Sequence, residues 1–182
     1  MKSGKILETF SVKDGRRVVL RTPKWEGLDD LLELINSFVE EKAEVIVDEK
    51  LSREQEAEWL SGVLLRLEKD QIFFLVAEAD GKVVASSDLH VGKGSEKRSG
   101  AVGIVVKSGF RNLGIGTRVM RAMLKEAQRI GLKVLVLSVF ATSKHAIHVY
   151  EKVGFVQTGR VPKKHFKQGK YIDEIAMAKL LE

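Results

Sequence analysis

Three groups of residues in this chain have the types and spacing to do chemistry. The first is Ser108-Gly109-Phe110-Arg111-Asn112-Leu113-Gly114-Ile115-Gly116-Thr117, which follows the apolar, strand-like Gly100 to Lys107 and leads into a helical period. Glycines at 114 and 116 strip Cβ atoms from the backbone where a helix begins, so several N–H groups can converge on an anion at its positive end. Two commoner phosphate loops are excluded. Gly116 is followed by Thr117-Arg118 and not by Lys-Ser/Thr, and position 119 is Val where a dinucleotide fingerprint needs a third glycine. The second group is the run Ala146-Ile147-His148-Val149-Tyr150-Glu151-Lys152-Val153-Gly154-Phe155, whose Tyr150 carries a phenol that can give up a proton. The third is a scatter of side chains that can take one: Glu78, Asp88, His90, Asp173 and Glu174. Taken singly, each reads as structural before catalytic. The absence of cysteine excludes disulfides, thiolate metal sites and cysteine nucleophiles. His145 and His148 stand three apart on a helical pattern without an evident third ligand, so they read as surface histidines and no metal is expected.

Arg111-x-x-Gly114-x-Gly116 between a strand and a helix, followed after a further strand by Tyr150-Glu151-Lys152-Val153-Gly154-Phe155, resembles the GNAT superfamily of acetyl-CoA-dependent N-acetyltransferases. The resemblance runs from about residue 17 to residue 181. It implies one α/β (α+β) domain over residues 1–182: a mixed, mostly antiparallel twisted sheet of about seven strands flanked by about four helices. Parallel strands 4 and 5 of that sheet would splay around the cofactor, and residues 1–16 would hold an extra N-terminal strand. Acetyl-CoA is the implied co-substrate. Its pantetheine arm would lie along Ile104, Val105 and Val106, paired with their backbone like an added strand. Its pyrophosphate would sit on the N–H groups of Arg111, Asn112, Leu113, Gly114, Ile115, Gly116 and Thr117, with Arg111 also available as a cation. Arg118, Arg121 and Lys125 would either meet the outer phosphates or form a solvated helix face. Tyr150 matches the family's usual general acid, protonating the departing thiolate, and a backbone N–H near Val106 would stabilise the oxyanion. Ser143 stands where many relatives carry Asn against the cofactor arm, and its single hydroxyl makes that contact weaker or absent.

The general base is left open. Some relatives use a glutamate on the cofactor strand, and the matching positions here are Gly100 and Gly103. Glu78, Asp88, His90, Asp173 and Glu174 are the substitutes, directly or through water. If none serves, the acceptor is a weakly basic amine such as a protein α-amino group, with a pKa of about 7.7 to 8.0.

The elements that must position these groups are legible from periodicity. Lys5 to Ser11 and Arg16 to Arg21 read as a hairpin about Lys13-Asp14-Gly15. A helix from about Leu28 to Glu41 carries Leu28, Leu31, Leu32, Leu34, Ile35 and Phe38 on one stripe. A second follows Ser52, with Gln55 completing a capping box. Gln71 to Glu78 and Lys82 to Val91 form strands about Ala79-Asp80-Gly81, and the strand from Gly100 comes next. The helix from about Thr117 to Ile130 and the strand Lys133 to Val139 complete a right-handed βαβ unit. A helix from about Ser143 to Val153 and strands Phe155 to Val161 and Tyr171 to Ala178 close the chain, joined by the basic loop Arg160 to Lys170.

At 182 residues, 44% hydrophobic and 31% charged, the chain is one globular domain. No apolar run reaches membrane-span length and Met-Lys-Ser-Gly-Lys leads into no signal core, so a cytoplasmic location and no membrane partner are expected. A net charge of +6 draws anions. The leading reading is transfer of an acetyl group to a primary amine, on a small amine or amino acid, by direct attack in a ternary complex. Alternatives are a protein N-terminal α-amino acetyltransferase and a non-catalytic CoA-binding regulatory module. A nucleic-acid-binding domain ranks last, because only Phe166 interleaves the basic residues of the Arg160 to Lys170 loop. The acceptor and the oligomeric state are open, and a homodimer rests on analogy alone.

Overall fold

The computed structural model describes residues 2–43, 45 and 47–182. In chain order the elements are β1 (Ile6–Ser11), β2 (Arg17–Arg21), α1 (Leu28–Glu40), α2 (Arg53–Glu68), β3 (Phe73–Ala79), β4 (Lys82–Val91), β5 (Ser99–Val106), α3 (Ile115–Arg129), β6 (Val134–Phe140), α4 (Lys144–Lys152), β7 (Val156–Lys167) and β8 (Lys170–Leu180). The strands make one sheet in the order β1-β2-β3-β4-β5-β6-β8-β7. All neighbours are antiparallel except β5 and β6.

Turn chemistry sets the hairpins. Asp80 and Gly81 join β3 to β4 with φ of 51° and 74°, a pair of left-handed residues whose twist matches that of the strands. Ser52 caps α2: its Oγ accepts from Gln55 N–H at 3.3 Å and its own N–H donates to Gln55 Oε1 at 2.8 Å, as the capping-box spacing requires. The central strand β3 is buried on both faces, and its alternation divides the core in two. Phe73, Leu75 and Ala77 pack with α3, α4 and the inner residues of β5 and β6. Phe74 and Val76 pack with Leu28, Leu31, Leu34 and Phe38 of α1 and Leu60 and Val63 of α2.

The sheet departs from regularity at its parallel pair. β5 and β6 are in register only over Ser99↔Val134, Gly100↔Leu135 and Ala101↔Val136. Beyond that, β5 stays on β4 as far as Val106↔Ala85, and β6 stays on β8 as far as Phe140↔Glu174. Two strand edges, residues 102–106 and 137–140, therefore face each other across an opening in the middle of the sheet.

The sheet has eight strands, the expected seven and the extra N-terminal one, with β1 paired to β2 across a shift in register between Ile6 and Glu8. Three details differ from the sequence reading. Helix α3 begins at Ile115, two residues early, because Gly114 at φ 91° turns the chain directly into it. Ile130 lies past the end of α3 and is exposed. Most of the basic segment from Arg160 to Lys170 is strand and not loop. Gln168 and Gly169, at φ 52° and 74°, form a tight turn between β7 and β8, and a bulge between Val161 and His165 takes up the extra residues. Pro162, which has no N–H for a ladder, is tolerated there because β7 is the edge strand.

Candidate functional site

The opening is lined on one side by main chain without a strand partner. Lys107 N–H donates to Val84 at 2.8 Å and Gly103 C=O accepts from Ser87 Oγ at 2.6 Å, so the odd-numbered residues of β5 turn their polar groups toward β4. Alternation along the ladder turns those of Ile104 and Val106 into the opening. The Val106 carbonyl already accepts from Arg111 Nε at 2.9 Å. Ile104 N–H and C=O and Val106 N–H remain, the donors and acceptor of a bare strand edge.

At the end of β5 the chain folds through Gly109, Asn112 and Gly114, all at positive φ, into the start of α3. The first helical bond here is Arg118 N–H to Gly114 at 3.1 Å. Among the described residues, the N–H groups of residues 111–117 donate to no protein acceptor, which leaves a cradle of amides at a helix N-terminus. The two glycines serve differently. Gly114 needs its positive φ, whereas a Cβ on Gly116 would rest at 3.7 and 3.8 Å from Val149 and Val106, ordinary contact. Arg111 is turned toward α1, pairing with Glu41 at 2.8 Å with its guanidinium over Phe38, and so ties the end of β5 to that helix. Arg118 pairs with Glu8 of β1 at 2.8 Å, while Arg121 and Lys125 are exposed.

Tyr150 lies on the inward side of α4, 4% exposed, and burial pushes its phenol up to about 12. Ser143 is the N-cap residue of α4, just beyond the end of β6. His145 and His148 are both exposed on that helix.

The structure separates the carboxylates that spacing left equivalent. Glu78 is held by Arg21 at 2.8 Å, on the β2 side of the sheet. Asp173 accepts from Arg160 and from Lys163 N–H at 2.8 Å, and those bonds hold it below the usual carboxylate range. Glu174, 8% exposed, meets Lys164 at 2.5 Å and His165 at 3.0 Å, and the latter ring stacks on Phe140. Burial pushes its pKa up, but hydrogen bonds from Lys164, Ser138 and His165 outweigh that and leave it lowered. Asp88 is bonded through Oδ2 to His90 Nε2, and Arg66 of α2 lies 3.5 Å from His90 Nδ1. Gly100 and Gly103 also part company. A Cβ on Gly100 would fall 2.7 to 2.9 Å from Leu132, Leu135 and Leu89 in the core, whereas one on Gly103 would meet only Asp88 Oδ1 at 3.5 Å.

Sequence reasoning missed a long-range bridge. The tip of the β7–β8 hairpin reaches the segment after α1: Lys167 Nζ donates to the Val45 carbonyl at 2.7 Å and pairs with Asp48 at 3.0 Å, and Gln168 donates to Lys42 at 2.9 Å. Val39, Lys42, Val47, Asp48, Phe166 and Gln168 help line a cavity of about 370 Å³ beneath it. No local signal marks contacts between residues more than a hundred positions apart.

Residues 28–155 match the family model described as the acetyltransferase (GNAT) family. An L-amino acid N-acetyltransferase of Escherichia coli, AaaT, is 32% identical over 108 residues, 58% of this chain and 67% of that protein. The crystal structure of a ribosomal-protein-alanine N-acetyltransferase from Brucella melitensis superposes with a TM-score of 0.79 at 25% identity, over 89% of this chain and 99% of that one. A phosphinothricin acetyltransferase from Sinorhizobium meliloti, solved in complex with acetyl-CoA, gives 0.79 at 17% identity, over 90% and 88%. With a split parallel pair, an amide cradle at its mouth and these likenesses, the chain belongs to the acetyltransferase (GNAT) family of N-acetyltransferases.

Proposed function

We propose that this enzyme moves the acetyl group of acetyl-CoA to the primary amine of a small amine or amino acid, by direct attack in a ternary complex. The observation that carries the reading is the bare edge of β5 ending in the amide cradle of residues 111–117. That combination fits acetyl-CoA: an amide-bearing arm finds strand-like partners in Ile104 and Val106, and a pyrophosphate finds converging N–H groups at the start of α3. Ser143 lies across the opening at the head of α4.

The acetyl carbonyl then meets Val106 N–H, whose fixed direction stabilises the charge that develops on oxygen during attack. Tyr150 keeps its proton at neutral pH because burial disfavours the phenolate, so a donor stands ready on the α4 side for the departing sulfur. The acceptor enters from the α1/α2 face. Lys164, His165 and Arg66 stand about that approach and suit a carboxylate-bearing amine. The 32% identity with an L-amino acid N-acetyltransferase supports the same class. The hairpin bridge from Lys167 and Gln168 to residues 42–48 narrows the entrance, which favours a small acceptor over a protein chain.

The test is thiol release from acetyl-CoA across free amino acids, polyamines, aminoglycosides and short peptides. The chain has no cysteine, so the protein itself adds no thiol background. Release is expected with one or more free amino acids well above the hydrolysis blank. Release with peptides alone would replace the small-acceptor reading with an α-amino protein acceptor.

A further inference from the structure

Asp88 occupies a distinctive place among the carboxylates near the opening. Its register partners are Phe74 on β3 and Gly103 on β5, so it projects from the α1/α2 face, the side from which an acceptor comes. Val105 and Ser86 form the next row of the same face. Gly103 has no side chain, and the carboxylate leans into the room this leaves: Oδ1 lies 3.5 Å from where the Cβ of residue 103 would be. The charge thus stands beside the cofactor-facing strand although the residue belongs to its neighbour. His90 occupies Oδ2, and Arg66 in turn contacts His90. Among the described residues no hydrogen bond reaches Oδ1. The other carboxylates, by contrast, are clamped: Glu78 by Arg21, Asp173 by Arg160 and Lys163, Glu174 by Lys164 and His165.

Resting on the acetyl-transfer reading, we infer that Asp88 is the general base for the incoming amine and that His90 is a positioning residue, holding one oxygen so that the other faces the acceptor. The row at Val105 is two residues further along β5, about 7 Å at strand rise, a span that one bridging water or the amine itself covers. Oδ1 takes a proton from the acceptor ammonium and passes it to solvent; the freed lone pair forms the C–N bond to the acetyl carbon, and Oδ1 takes a second proton from that nitrogen as the tetrahedral adduct collapses. The C–S bond breaks with its electron pair going to sulfur, and the Tyr150 proton neutralises the thiolate. That second proton then returns from Asp88 to the Tyr150 phenolate through water, so each turnover of an ammonium acceptor yields one amide, one thiol and one proton released to solvent, with both residues restored. The charged and titratable groups about Asp88 are His90 on its own strand and Arg66 from α2; β3 and β5 offer only Phe74 and Gly103.

The experiment compares wild type, Asp88→Asn and the double variant Asp88→Asn/Gly103→Glu, each first shown to melt cooperatively and to bind acetyl-CoA by calorimetry. Asp88→Asn is expected to keep wild-type affinity for acetyl-CoA and to lose about 10²- to 10³-fold in kcat at pH 7 with a free amino acid. The deficit should shrink toward pH 9.5, and with amino acid amides, whose amines lose their proton more readily, because an already neutral amine needs less help. Gly103→Glu should recover part of the loss by returning a carboxylate to the same space from the adjacent strand. An Asp88→Asn enzyme as fast as wild type overturns the assignment, as does a deficit indifferent to pH and to acceptor basicity. A wild-type enzyme that acetylates no amine overturns the acetyl-transfer reading and this one with it. If Asp88→Asn does not fold, Gly103→Glu alone decides: unchanged kinetics overturns the assignment, and a changed dependence on acceptor basicity supports it.

Discussion

On the α3/α4 face of the opening Tyr150 is 4% exposed, whereas on the α1/α2 face the side chains of Asp88 and His90 keep 35% and 48% of their surface in solvent. The same sheet therefore has a dry wall on one side of the opening and a wet wall on the other. The difference suits the roles proposed for the two groups. A proton donor is kept loaded by low dielectric, which penalises its anion, and Tyr150 at about 12 stays neutral across the physiological range. A proton acceptor has to meet an amine that arrives charged and hydrated, so its carboxylate benefits from access to water. Attack on a thioester carbonyl passes through a tetrahedral adduct, and the split between β5 and β6 is where the two faces meet beside the proposed reacting carbon.

The largest expected effect tests the dry side. Tyr150→Phe keeps the buried ring and removes the hydroxyl, and should cost about 10²- to 10³-fold in kcat with acetyl-CoA binding unchanged. In contrast to Asp88→Asn, its deficit should be the same for strongly and weakly basic acceptors, because it acts on sulfur; steady-state kinetics over an acceptor series reads this directly. A Tyr150→Phe deficit that tracks acceptor basicity would break the division of labour between the faces.

Next in size is the cradle. Gly114→Val places a β-branched residue at φ 91°, a strain of about 1–3 kcal/mol that reshapes the turn. It should raise KM for acetyl-CoA about tenfold or more while leaving the acceptor KM near wild type, with the amide contacts on the phosphates worth about 1–3 kcal/mol. Gly116→Ala, where a Cβ meets only ordinary contacts, should be nearly silent in the same assay.

The smallest effect on turnover, though not on stability, concerns Glu56 on the buried side of α2. It is 3% exposed, and burial pushes its carboxyl up to about 7 from 4.5. A folded-state pKa above the unfolded one means that folding favours the protonated form. The cost is absent below about pH 4.5, grows as pH rises toward 7, and is complete above it. Glu56→Gln should therefore stabilise the protein at pH 8, by up to about 3 kcal/mol, and change little at pH 4. Chemical denaturation at the two pH values measures the difference, and kcat should hold.

Much of the fold was legible because its determinants are local. Asp80-Gly81, the Ser52 and Gln55 cap and the stripe on α1 each act within a few residues, and each forms as the spacing requires. The Gly114 turn was legible as well, since left-handed backbone at a helix start has few alternatives to glycine. The basic segment from Arg160 was misread because charge and Pro162 mark loops in isolation; an edge strand with a bulge accommodates both. Gly100 and Gly103 were equivalent as letters on one strand. They differ because one points at three leucines under α3 and the other at a carboxylate on the α1/α2 face.

The sequence by itself determined the order of elements, the phosphate-sized glycine turn, the phenol on α4 and the exclusion of cysteine chemistry. Each depends on residue type and on spacings shorter than one turn or one strand. Tertiary structure alone decided where the sheet opens, which carboxylates are clamped by cations, and that a hairpin tip reaches the segment after α1. Those outcomes depend on register and twist summed over eight strands. A side chain's neighbours across a sheet come from distant parts of the chain, and nothing in the local pattern records which residue will stand opposite.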